Sequence, residues 1–372
     1  MNKKIMVSAL ALTLAATSLT ACGGINKNDT LITIENGDKT DEISLGTGNF
    51  YARLEQAAYG QMMMAYYGES VWTTDITNSG QTYQEDTKDG VIETIKEYYI
   101  CQDKAAEYGV ELSEDQEKAI KDAASQFIKD NSEETIEAMG ATEEYVADYL
   151  RGYTYQSLVS KAVKEEADDE VTDDECWMRT FTYALVDTTG VVGEDGSTVE
   201  YTEEELKGLK TTADTIAAAE DFDAALTEAG IEGQSFSYLK GETENSTIEA
   251  AVLEAAEGLK EGQVSDVISV DGKGYYVIRL DKDHDSEQSE SKRQSLQTQK
   301  QNEYYETKLQ EWKDAITWTV DEDAWEKVQF DTMFNIVSKE DQEATEETTE
   351  DNTEEPDDTA EAEGDSQASE EE

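Results

Sequence analysis

The chain has 372 residues, a formal net charge of −58, one histidine, three cysteines and one proline. So acidic a surface repels nucleic acid and anionic headgroups, which excludes a binding role toward nucleic acid; it attracts cationic partners and inorganic cations, or serves only to keep a secreted chain soluble. The lone His284, in the polar stretch DKDHDSEQ, excludes a Ser-His-Asp triad, a multi-histidine zinc site and a His-Cys dyad, and is expected to be solvated; no cofactor and no metal are expected.

The N-terminus, MNKKIMVSALALTLAATSLTACGG, opens on Lys3 and Lys4 and continues as an apolar run from Ile5 to Ala16. That is a signal-peptide core, too short and wrongly flanked to span a membrane. It closes on Leu19-Thr20-Ala21-Cys22, which resembles the bacterial lipobox, whose cysteine is lipidated and becomes the first residue of the mature chain. The alternative is ordinary secretion with cleavage after Ala21. A lipidated Cys22 carries two acyl chains, each worth ~0.8 kcal/mol per buried methylene, enough to hold the protein at a membrane. Residues 1–21 are thus expected to be a signal peptide and 22–30 a tether, placing the protein outside the cytoplasm and lipid-anchored to the bacterial cell membrane. Cys101 and Cys176 remain, as a disulfide or as buried thiols.

LITIENGDK predicts a strand and an Asn36-Gly37 turn. From Asn49 the spacing predicts a helix with Phe50, Leu54, Ala57, Ala58, Met62 and Ala65 on one face. After a polar stretch, Thr73 to Asp86, a second helix turns Val91, Ile92, Ile95, Tyr98, Tyr99 and Ala105 inward and stops at Gly109. Ser113-Glu114-Asp115-Gln116 is a capping box for a third, Ser132 caps a short fourth ending at Met139-Gly140, and Thr142 opens a longer fifth. Residues 31–170 therefore read as a helical domain.

Composition then changes. RTFTYALVD is a strand, Thr188 to Tyr201 a Gly-rich loop or hairpin, and Thr202 caps a helix through Leu206, Leu209 and Ile216. DFDAALTEAG is a short helix, SFSYLKG a strand, Ile248 to Glu257 a helix, and GQVSDVISV and GKGYYVIRL two strands. The order β-α-α-β-α-β-β over residues 171–283 predicts an α+β domain around one small sheet. In GKGYYVIRL one of the adjacent Tyr275 and Tyr276 is expected to face out of the core. Residues 284–335 supply a long helix, too poor in apolar residues for a core of its own, and a short strand. Residues 336–372, acidic and without a basic side chain beyond Lys339, read as a disordered tail.

Together the lipobox, the ENGDK turn, AAEYGVELSEDQ and MGATEEYVADYL resemble the N-terminal domain of PrsA/SurA-like foldase lipoproteins. RTFTYALV, AAAEDFDAALTEAG and LKEGQVSDVISVDGKGYYVIRL resemble a parvulin-type peptidyl-prolyl isomerase domain. The resemblance implies a multi-domain α+β fold: a helical chaperone domain completed by the C-terminal helix, with the parvulin-like domain inserted. Parvulins place one histidine on the first strand and another on the last, and here those positions are Tyr183 and Tyr276. The loop that brings a central Asp or Cys is shortened to AGIEGQSFSYL, and the proline-pocket methionine falls where ETENST is polar. The implied isomerase site is therefore degenerate, and no catalytic residue is assigned.

Catalysis of X-Pro rotation needs an apolar seat for the ring and groups that favour the twisted amide over the planar one. With those gone, the leading expectation is a tethered chaperone for unfolded or partly folded secreted polypeptides. Its client surface would include Tyr59, Met62, Met63, Met64, Tyr66, Tyr67 and Trp72, since methionine and tyrosine adapt to varied partners. An active isomerase with a divergent site, and a lipoprotein binding a small ligand or cation, are the alternatives.

Overall fold

The computed structural model describes residues 25–192 and 198–330. Cys22, the signal peptide and the acidic tail lie outside them. The protein is mixed α+β and divides into two compact units: the described residues up to Val163 with those from Glu306 onward, and Lys164–Tyr305.

In the first unit, β1 (Thr30–Asn36) and β2 (Lys39–Ser44) form a hairpin. Its two-residue loop puts Gly37 at φ 61°, a left-handed position that glycine adopts without steric cost. Leu31, Ile32 and Ile34 of β1 are fully buried. The Ser44 side chain accepts from the Thr47 N–H and starts α1 (Leu45–Tyr67) four residues earlier than the apolar pattern indicated. A 3-10 turn, Val71–Thr73, follows. Then come α2 (Tyr83–Lys104) and α3 (Glu114–Asp130), each opened by a capping box. Next are α4 (Glu133–Met139), stopped by a left-handed Gly140, and α5 (Glu143–Lys164).

The second unit begins with α6 (Asp173–Cys176) and β3 (Met178–Asp187), and β4 (Val191–Val192) pairs with β5 (Thr198–Val199). There follow α7 (Glu203–Ala217), α8 (Phe222–Ala229), β6 (Gln234–Leu239), α9 (Ala250–Glu257), β7 (Ile268–Val270) and β8 (Gly274–Lys282). The sheet order is β6-β3-β8-β7, with antiparallel neighbours throughout. After β8 come α10 (Ser286–Asp314), β9 (Thr317–Val320) and α11 (Glu322–Trp325). In the first unit β9 pairs with β1, Ile34 opposite Trp318, so segments from either end of the described residues share one sheet of order β2-β1-β9. Buried Lys88 donates to the carbonyls of Trp325 (2.8 Å) and Val328 (3.0 Å), fixing the same C-terminal turn to α2.

Several expectations are corrected. The packed face of α1 ends at Gly60: Met62 and Ala65 are exposed, because the described residues cover the helix's last two turns only in part, at Met63 and Met64. GQVSDVISV is strand only at Ile268–Val270, with Val264 making one isolated bridge to Arg279. The α9 helix starts at Ala250, not Ile248. Neither tyrosine of the adjacent pair faces out. Tyr276 joins the core cluster of Val252, Leu253 and Ala256 on α9, while Tyr275 packs on the opposite cluster with Ala213, Ile216 and Phe222. Helices cover both faces of the sheet, so alternation along β8 carries no inside-outside information. Cys101 and Cys176 are buried thiols, neither of them in a disulfide. His284 is exposed but stacks on Trp177, ring centroids 4.2 Å apart.

Candidate functional site

Antiparallel pairing of β3 with β8 sets Leu185 opposite Tyr276 and Tyr183 opposite Ile278. Tyr183 and Tyr276 are therefore diagonal neighbours on one face of the sheet, with ring centroids 5.8 Å apart. Tyr276 is 4% exposed. Burial pushes its phenol well above the ordinary range, and a hydrogen-bond interaction with Glu249 adds to this, so it stays protonated. Glu249, the residue just before α9, has its carboxyl held below the usual range. Burial opposes that shift and is outweighed by Tyr276, by the Glu249 backbone N–H and by Lys273, 3.4 Å away.

The half-buried Tyr183 donates to Oε1 of Gln234, the first residue of β6 and its partner in register. Gln234 falls in the shortened AGIEGQSFSYL segment, where the sequence offered no central residue; its pairing with β3 is what brings it beside Tyr183. The Tyr183 hydroxyl is thus engaged on an amide, whereas Tyr276 lies beside a carboxylate whose Oε2 is buried without a hydrogen-bond partner. Ile248 and Val252, the apolar residues nearest a proline seat in the sequence, are buried in the core with Tyr276.

Arg179 also escaped the sequence reading. Its guanidinium, 3% exposed, donates to the Tyr238 hydroxyl (3.0 Å) and to the carbonyls of Ala256 (3.1 Å) and Leu259 (2.8 Å), and pairs with Asp283 (2.8 Å). It caps the C-terminal end of α9, where a cation meets the negative end of the helix dipole. The available signal was a charged residue entering an otherwise apolar strand, MRTFTYALV. Asp285, also buried, accepts from Thr180 (2.7 Å) and Lys282 (3.0 Å), anchoring the start of α10 to β3.

The client-surface residues divide. Tyr59, Met62, Tyr66 and Tyr67 are exposed, at 49%, 51%, 80% and 55%. Met63 and Met64 are half-buried. Trp72 is 3% exposed, stacked on Tyr83 (5.0 Å) and met edge-on by Phe330 (4.8 Å). Tyr59 and Trp72 line a cavity of about 340 Å³, together with Glu55 of α1 and Tyr83, Asp86 and Val91 of α2. Burial raises the Glu55 carboxyl. It also raises the Tyr83 phenol, helped by the charge of Glu55.

Residues 191–290 match the family described as the PPIC-type PPIASE domain. The chain carries a parvulin-type domain. The match begins after β3, so Tyr276 lies within it and Tyr183 before it. Over most of its length the chain is also similar to PrsA foldases. It is 25% identical over 342 residues to the foldase protein PrsA of Clostridium botulinum strain Loch Maree, covering 84% of this chain and 96% of that one. The Langeland strain's protein matches at 25% over 344 residues, with the same coverage. Among solved structures, the foldase protein PrsA of Lactococcus lactis aligns over 81% of this chain and 98% of its own at 14% identity, with a TM-score of 0.31.

Proposed function

We propose that the protein is an extracytoplasmic foldase that acts by holding partly folded secreted polypeptides, its parvulin domain serving as scaffold. The observation that carries this is the similarity to proteins called foldase protein PrsA along 96% of their length. The exposed Tyr59, Met62, Tyr66 and Tyr67 at the end of α1 add an adaptable apolar surface. In the parvulin domain, Tyr183 and Tyr276 replace the paired histidines; the Tyr183 hydroxyl is already bound to Gln234, and Tyr276 is buried beside Glu249. On this reading residues 31–170 are the chaperone domain, residues 284–335 return to complete it, and the parvulin domain is the insertion between them. Cys22 carries the lipid anchor. Among the described residues no helix is long and apolar enough to cross a membrane. The second reading, a working isomerase, is favoured by the PPIC-type match.

The test is suppression of aggregation of a reduced, unfolded client. The full chain should suppress it, and the double variant Met62→Glu, Tyr66→Glu should lose that effect with an unchanged melting temperature, since both side chains are exposed. Full suppression by the double variant would place client holding elsewhere.

A further inference from the structure

The cavity beside α1 brings acidic and aromatic side chains together. Glu55 and Tyr59 stand one helical turn apart on α1 and face Tyr83 and Asp86, three apart on α2. Two carboxylates therefore sit among three aromatic rings, and no basic side chain lines the space. Asp86 accepts from the hydroxyls of Thr77 (2.6 Å) and Ser79 (2.9 Å), which fix its position without cancelling its charge. Burial alone raises the Glu55 carboxyl; no neighbouring cation offsets it. Trp72, nearly fully buried, has its indole N–H buried without an acceptor.

We propose that this cavity seats a lysine or arginine side chain of an extended client segment. The inference rests on the foldase reading above and names what the client must carry. A cation over the Tyr59 and Tyr83 rings is attracted by their π faces, and Glu55 and Asp86 supply the opposite charge. The volume, about 340 Å³, lies at the small end for ligand pockets and suits one long side chain rather than a whole peptide. From the cavity Tyr59, Met62 and Tyr66 continue along one side of α1 at spacings of three and four, a track for apolar residues that follow the basic one. The general charge of −58 draws basic segments to the surface everywhere. Selecting one side chain takes a concave, aromatic-lined site such as this one.

The experiment uses the full chain and two fluorescein-labelled extended peptides. One carries a single arginine followed by tyrosine and leucine; its twin has glutamine in place of the arginine. Fluorescence anisotropy should show the arginine peptide binding about tenfold tighter. Glu55→Gln should abolish that preference, whereas Glu114→Gln, an exposed carboxylate on α3, should leave it intact. Equal affinity of the wild-type chain for the two peptides overturns the pocket, as does a preference that survives Glu55→Gln. A preference that emerges only when the chain is ended at Phe330 would assign the cavity to this chain's own residues 331–340 and overturn the client assignment. Loss of preference with client holding intact refutes the pocket alone, whereas absence of client holding refutes the foldase reading beneath it.

Discussion

Tyr276→Phe separates scaffold from catalyst. The hydroxyl interacts with Glu249, and the ring is buried under α9 with Val252, Leu253 and Ala256. Removing it takes a dipole away from a carboxylate that burial already penalises. Lys273 remains 3.4 Å from the same carboxylate, so the loss of stability expected is that of one ordinary polar contact, about 1 kcal/mol. Catalysis should not change. The X-Pro barrier is roughly 18–20 kcal/mol. A thousandfold acceleration takes ~4 kcal/mol from it, through groups free to bond the twisted amide. Tyr276 is not free, because it is 4% exposed and its phenol stays protonated beside Glu249. A protease-coupled assay on a short Xaa-Pro peptide should read at or near background for wild type and variant alike, while urea unfolding shows the variant weakened. Acceleration of several hundredfold by the wild type, abolished in Tyr276→Phe, would refute this reasoning and make the domain an isomerase.

Three further outcomes are expected. A Cβ on Gly152 of α5 would fall 2.4 Å from Cδ2 of buried Tyr98, so Gly152→Ala should lower the urea midpoint. The ~1–3 kcal/mol cost of overpacking exceeds the ~1 kcal/mol gained in helix propensity, and an unchanged midpoint would show that Tyr98 can step aside. Glu175 caps α6: it accepts from the Thr172 hydroxyl (2.7 Å) and N–H (2.8 Å) and pairs with Lys300 (3.4 Å), which brings its pKa down to about 2. A carboxyl depressed on folding stabilises fully above its unfolded value of 4.5 and loses that contribution as pH falls toward 2. Glu175→Gln should therefore flatten the stability-against-pH curve in that window, and an unaltered slope would show that the cap contributes nothing. Cys22→Ala should move the protein from the membrane fraction to the medium, and retention at the membrane would mean the anchor is not the lipobox cysteine.

Local chemistry was legible in the sequence, and contacts distant along the chain were not. Capping boxes at Ser113 and Thr202, the left-handed stop at Gly140 and the turn at Gly37 act within four residues, so the letters alone mark them. The order of strands and helices from β3 to β8 rests on local periodicity and on the family resemblance, and the positions of Tyr183 and Tyr276 came from it. What those tyrosines do was decided only by tertiary structure. Whether a β8 residue meets water depends on helices packed against both faces of the sheet, and α7 and α9 cover both. Gln234 reaches Tyr183 through strand pairing across 51 residues, and Arg179 finds the end of α9 across 77. Trp72 looked like part of an exposed Met/Tyr track, but Phe330, 258 positions along the chain by number, closes over it. Periodicity reports which side of an element is apolar. Which apolar sides are covered, and which polar groups are left unpaired beneath them, is fixed by partners that only the folded chain brings together.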